Sequence, residues 1–439
     1  SGEAERCDWE AVVTLGGDTS RYLPVCCSRP RAQLSRVGAG RQLESQRRTR
    51  RCRGRAGRAR RARTRRWLLC ESKGKNSIAV ELVRPEGKTT RPWCYFIPAS
   101  GQPVVLVHKS EASAFERVPG SKVEYSGYRD MKTSLRTVLK GALTVAMEYA
   151  PATRIPSLTR VDSGIADQVK RAGVTIISSA DLVQLTKSVW GPNGRLAHYV
   201  AVHHLSKLRQ EALAFVAERI KADRPVSEHD VQQFIATGMR ARGLVGESTV
   251  AVGANTAKPA YRPSSVSSSA IKKEQLLYLH LSGVLGDADR GIHASVDWVA
   301  YVGASVPERY DKVFQLVKGA RNDTIEFIRS KVEKRRLVKG FQADQVARSA
   351  IGKAGMADKL VHRTGHSLDT SLHGDGANLD DYETHDTRNL VIGSGFTVGP
   401  GVYMSRDFGM RSTVDVHLVR DGLEVTTPQQ ERISAILAE

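Results

Sequence analysis

Long apolar runs are missing from this 439-residue chain. No stretch approaches the ~20 consecutive apolar residues that cross a bilayer, which excludes a membrane-spanning helix. Cysteine is scarce and confined. Cys7, Cys26, Cys27, Cys52, Cys70 and Cys94 all fall near the start, and none forms a CxxC pair or alternates with histidine at zinc-finger spacing. That excludes a cysteine-ligated zinc module and reads as a reducing, cytoplasmic setting. The opening residues lack both an initiator Met and a charged-then-apolar leader, so no signal peptide is expected. Acidic residues are also short, 46 against 67 Lys and Arg, for a net charge of +21.

Most of that excess is local. From Arg29 to Arg66 stand 16 arginines, no lysine and a single acid, Glu44, so the rest of the chain is only mildly basic. The run "RRTRRCRGRAGRARRARTRR" has too few apolar side chains to offset the entropy of ordering it, and residues 1–66 read as a disordered or non-native segment. Clustered arginine neutralises phosphates, so a nucleic-acid-binding arm is the alternative. It is the lesser one, because no aromatics interleave with the arginines to stack on bases.

From Trp67 the texture changes. "WLLC", "IAVELV", "CYFIP" and "PVVLVH" read as short strands, "MKTSLRTVLKGA" and "SGIADQVKRAG" as helices, and "LTVAMEY" and "VTIIS" as further strands. Strands alternating with helices predict an α/β domain over 67–190. Beyond it, "LAHYVAVHHLSKLRQEALAFVAERIKA" carries apolar residues at helical spacing without a breaker. A second helix, "SEHDVQQFIATGMRARG", opens on the N-cap Ser227. The adjacent His203 and His204 cannot share one helix face and read as structural. After the polar loop "ANTAKPAYRPSSVSSSA" come the strands "QLLYLHLSG" and "HASVDWVAYVG", two helices, and the strand-rich end "GFTVGPGVYM", "STVDVHLV" and "LEVTT". Helices packed outside a mixed sheet is the architecture expected for 191–439.

Five pieces in order, "WLLCESKGKNSIA", "VAMEYAP", "VHRTGHSLDTSLHGDGANLDDYETHDTR", "GFTVGPGVYM" and "FGMRSTVDVHLV", resemble the Xaa-Pro peptidase family of prolidase, aminopeptidase P and creatinase. The resemblance implies a creatinase-type α/β domain followed by an α+β pita-bread domain, a proline-containing peptide as substrate, and a homodimer. It also implies two divalent ions, Mn, Co or Zn, held by five ligands: two Asp on adjacent strands, the His of a "GH" motif, the Glu of "EPG" and a final Glu. Carboxylates dominate such sites because paired dications need several anionic oxygens to neutralise them while both polarise one water.

At four of the five ligand positions this chain departs from the pattern. His280 and Ser295 stand where the two Asp are expected, Gly399 where "EPG" has Glu, and Thr413 at the final Glu; His366 is retained. His362, His373 and Arg411 match the family's substrate-handling residues, while Ala260 stands where a proton-handling His is usual. The implied reading is a peptidase homologue without cofactor and without activity, every anionic ligand being gone. Two alternatives stay open. One is an active metal-dependent Xaa-Pro aminopeptidase or dipeptidase. The other is a rewritten mononuclear zinc or nickel site built on His280, His293 and His366, since strand alternation puts His293, Ser295 and Asp297 on one face.

Overall fold

The computed structural model describes residues 66–286 and 291–438. The Arg-rich segment up to residue 65, with the expectations attached to it, lies outside them. The chain divides into two compact units at Ala180/Asp181.

The first unit holds β1 (Trp67–Glu71), α1 (Ser77–Val83), β2 (Trp93–Ile97), β3 (Val104–His108), β4 (Ser121–Tyr125), α2 (Tyr128–Val138), β5 (Thr144–Met147), α3 (Ser163–Arg171) and β6 (Thr175–Ser178). One six-stranded sheet, ordered β4-β3-β2-β1-β5-β6, runs through it. Leu68, Cys70, Leu106, Val145 and Met147 line one face and pack on Leu135, Leu139, Ile165 and Val169 from the helices.

Two expectations are corrected here. "IAVELV" lies in helix α1, because Asn76 caps it by accepting from Ala79 N and so commits the following residues to helical geometry. Cys70 and Cys94 are directly opposed across β1 and β2, with Cα atoms 4.1 Å apart, and form a disulfide. Strand register creates that opposition, and cysteine spacing does not display it.

The second unit opens with α4 (Ala180–Lys187), followed by α5 (Pro192–Lys221) and α6 (Glu228–Ala241). Ala201, Leu205, Leu208, Ala212 and Val216 form the buried stripe of α5. At the start of α6, Ser227 and Asp230 complete a capping box. Then come β7 (Leu244–Val252), β8 (Leu276–Leu285), β9 (Ala294–Tyr301), α7 (Glu308–Glu333) and α8 (Gly340–Lys353). The last stretch holds β10 (Ser367–Leu368), β11 (Gly395–Val398), β12 (Gly401–Tyr403), β13 (Gly409–Arg411), β14 (Val414–Val419), β15 (Gly422–Val425) and β16 (Ser434–Ala435).

Two four-stranded sheets result, ordered β16-β9-β8-β7 and β10-β11-β14-β15, with β12 and β13 as a separate pair. α5 and α6 cover one face of the first sheet through Leu208, Val216 and Ile235 against Leu277, Leu279 and Leu281. Phe314, Val317 and Ile351 of α7 and α8 pack on Leu276, Tyr278 and Val299. Ile325 and Ile328 of α7 reach Phe396, Val398 and Val416 of the second sheet. β8 is therefore covered on both faces. His280 is an ionisable side chain within it.

Candidate functional site

The register of the first sheet sets the site. His280 of β8 is opposed to Thr249 of β7 and to Asp297 of β9, and Ser282 is opposed to Ser295. Ser295 and Asp297, two residues apart, share one face of β9. From the second sheet, His366 comes just before β10, Gly399 just after β11 and Thr413 just before β14.

Thr249, His280, Ser295, Asp297, His366, Gly399 and Thr413 line one cavity of about 370 Å³, together with His362, His373, Arg411 and Ala260. The sequence-predicted residues are thus brought together. His293 does not line it, and His203 and His204 lie on α5 away from it.

Close backbone approach builds the corner holding His366. A Cβ on Gly365 would sit 1.9 Å from Thr397 O, so glycine alone lets the two segments meet there. His366 N then donates to Thr397 Oγ1 at 3.0 Å, and Thr397 N to His366 O at 2.8 Å. The "HGDG" turn is folded around Asp369, which accepts from Ser371 N and Asp375 N, while Lys187 pairs with Asp375 at 2.5 Å. The turn brings the His373 ring to 4.3 Å from that of His366. His366 Nδ1 lies 3.2 Å from Ser367 O, so it carries the proton. Burial, helped by His373, holds the imidazole down at about 3 and leaves Nε2 a neutral acceptor.

His362 and Arg411 are joined through Tyr403. His362 Nδ1 donates to Arg363 O at 2.6 Å, its Nε2 accepts from Tyr403 Oη at 2.7 Å, and Arg411 Nε donates to the same Tyr403 oxygen. Arg411 also reaches Pro259 O at 2.9 Å and Tyr278 Oη at 3.4 Å. Both ring nitrogens of His362 are therefore taken within the chain. Burial, reinforced by Arg411, lowers its pKa to about 4, and burial lifts the Tyr403 hydroxyl to about 12.

Two carboxylates outside the five ligand positions stand at this site. Asp297 lines the cavity, and His280 Nδ1 binds its Oδ1 at 2.5 Å. Burial pushes the Asp297 carboxyl up, but His280, the Thr413 hydroxyl and Arg411 outweigh it and bring the pKa to about 2. Asp415 of β14 is fully buried beside the site and accepts from Ser295 N at 2.7 Å and Ser295 Oγ at 2.6 Å. Burial raises its pKa to about 7 against those bonds. Sequence reasoning passed over Asp415. The signal that could have found it is strand alternation, which puts 413 and 415 on one face of the same strand.

The donor set does not fit the metal pair that the resemblance implies. At position 399 a Cβ would meet Thr413 Oγ1 at 2.4 Å and Cγ2 at 2.6 Å, so the threonine occupies the room a glutamate would need. Ser295 is committed to Asp415, and Nδ1 of His280 to Asp297. Among the described residues no group of three or more His, Cys, Asp and Glu is placed to hold a metal ion. That also counts against the His280, His293 and His366 site, because His293 stands off the cavity.

The profile of Metallopeptidase family M24 matches residues 190–420. An uncharacterised peptidase of Staphylococcus haemolyticus is 24% identical over 233 residues, covering 52% of this chain and 60% of that protein. A putative dipeptidase of Bacillus subtilis is 26% identical over 208 residues, covering 46% and 52%. The chain therefore spans 60% or less of the length of these relatives. Among solved structures, dipeptidase PepE from Mycobacterium ulcerans superposes with a TM-score of 0.66 at 18% identity, covering 88% of this chain and 97% of that one. A prolidase from Thermococcus sibiricus gives 0.58 at 20%, covering 89% and 98%. At these identities the likeness shows the fold, an α/β unit followed by a pita-bread unit. With its profile covering more than half of the residues, the chain belongs to metallopeptidase family M24.

Proposed function

We propose that this chain is a family member without metal-dependent peptidase activity, a pseudoenzyme that keeps the cavity as a binding site for a proline-containing peptide. The observation that carries the reading is that His280, Ser295, Gly399 and Thr413 stand at four of five ligand positions and are held in other contacts. Neutral side chains cannot compensate two dications that have given up their hydration. Without metal, no bound water reaches a pKa near ~7, so the nucleophile is lost together with the electrophile.

The active metallopeptidase is the second reading, favoured by relatives that bear the names peptidase and dipeptidase. Turnover of an Xaa-Pro dipeptide in the presence of Mn separates the two. The proposal expects background hydrolysis. Metal-dependent turnover that His366→Ala abolishes contradicts it.

A cytoplasmic setting and a homodimer belong to the same proposal. No helix among the described residues is long and apolar enough to cross a membrane. The Cys70–Cys94 disulfide argues for an oxidising setting instead, since such bonds are rare in the cytosol. Non-reducing peptide mapping of protein from fresh cell extract decides: free Cys70 and Cys94 are expected in the cytoplasm, and a joined pair counts against it.

A further inference from the structure

The residues at the former ligand positions are linked in a specific way. Ser295 on β9 donates through N and Oγ to Asp415 on β14. β9 and β14 belong to different sheets. The Ser295 hydroxyl stands at a position where the resemblance places a carboxylate, and Asp415 stands two residues beyond another such position, Thr413, on the same strand face. His280 adds β8 by binding Asp297 at 2.5 Å.

From this we infer that the Ser295–Asp415 hydrogen bonds, beside the His280–Asp297 pair, have replaced the dinuclear centre as the tie between the two sheets. Ligands drawn from β8 and β9 on one side, and from positions 366, 399 and 413 on the other, would make the ions a cross-sheet staple. Here the same strands are stapled without them. Asp415 is fully buried and Ser295 is 4% exposed, so their two hydrogen bonds are sheltered from water, where an unmade partner is costly.

The exchange also predicts that a four-site reversion is insufficient. His280→Asp, Ser295→Asp, Gly399→Glu and Thr413→Glu would add four carboxylates beside Asp297 and Asp415, which would then lose the partners that neutralise them and repel the newcomers.

The inference rests on the reading that the chain holds no dinuclear centre, and the two fail differently. Thermal unfolding of the unmodified chain is measured with EDTA and with added Mn, alongside Ser295→Ala, Asp415→Asn and the double variant. The expected result is a midpoint that neither reagent moves beyond about 1 °C, since a ligand that does not bind cannot shift it. Each single variant lowers the midpoint by about 3 °C or more, and the double variant falls short of the sum because the pair is coupled. A strictly additive double variant, or singles without effect, overturns the staple alone. A large drop with EDTA overturns both readings.

A second arm compares Mn uptake by the four-site reversion with that of a six-site variant that adds Asp297→Thr and Asp415→Ser. Greater uptake by the six-site variant is expected. Full loading of the four-site variant overturns the inference, even where the alanine variant fails to fold.

Discussion

Among single residues, Tyr403 carries the most consequence. Its hydroxyl donates to His362 and accepts from Arg411, so two residues that match the family's substrate-handling groups are bridged by one tyrosine in this chain. Tyr403→Phe leaves a half-buried imidazole nitrogen and a guanidinium N–H without partners. It is expected to cost about 1–3 kcal/mol in urea unfolding. A loss within about 0.3 kcal/mol, the range of an ordinary surface change, would mean that water satisfies both groups. Much of the site was legible at this scale. His280, Ser295, Gly399, Thr413, His366, His362, His373 and Arg411 follow from motif resemblance, and all line one cavity. What the sequence did not display is which side chain answers which. The Ser295–Asp415 pair depends on how two sheets abut, and the contact of Thr413 with Gly399 depends on packing, neither of which a linear pattern carries.

Among elements, α1 shows why a short apolar run is ambiguous. "IAVELV" satisfies strand composition, and its length cannot separate a strand from two turns of helix. The decision lies in Asn76, which caps α1 through Oδ1 while its Nδ2 donates to Cys70 O and to the buried Glu148, each at 2.8 Å. Glu148 also accepts from Trp67 Nε1 and Ser179 Oγ, so one carboxylate gathers β1, α1 and the segments around β5 and β6. Asn76→Ala removes the cap and one of three donors to a buried carboxyl. A destabilisation of about 2 kcal/mol or more is expected from chemical unfolding. Asn76→Asp, which keeps the cap and sets a second carboxylate against Glu148, should do no better. If Asn76→Asp restores full stability, the Glu148 contact contributes nothing and the cap is the whole effect. The long helices α5 and α6 were legible from periodicity and from Ser227. The edge strand β7 was not, because its first half, Leu244–Glu247, is mostly exposed and lacks a strand's alternation.

For the whole molecule, buried neutral histidines set the response to acid. His198 lies wholly buried between His293 O and Thr426 Oγ1, and burial lowers its pKa to about 4; that of His362 is lowered to about 4 as well. Both titrate near ~6.5 once unfolded, so the unfolded chain binds more protons below that pH. Their stabilisation is complete above pH ~6.5 and is lost as pH falls towards about 4. Asp415, raised to about 7, works in the opposite sense between about pH 4 and 7 and makes the decline shallower. The urea midpoint is therefore expected to be lower at pH ~5 than at pH ~7.5. A midpoint that is unchanged or higher at pH ~5 would contradict the claim that these histidines set the acid response.

The central claim is that a fold shared with metallopeptidases holds no metal pair here, and it is most directly tested by elemental analysis of the purified, extensively dialysed chain after exposure to Mn, Co and Zn. The account predicts well under one equivalent of any of these per chain, because His280 and Ser295 are bonded to Asp297 and Asp415 and Thr413 fills the room at position 399. Two tightly held equivalents per chain would contradict it.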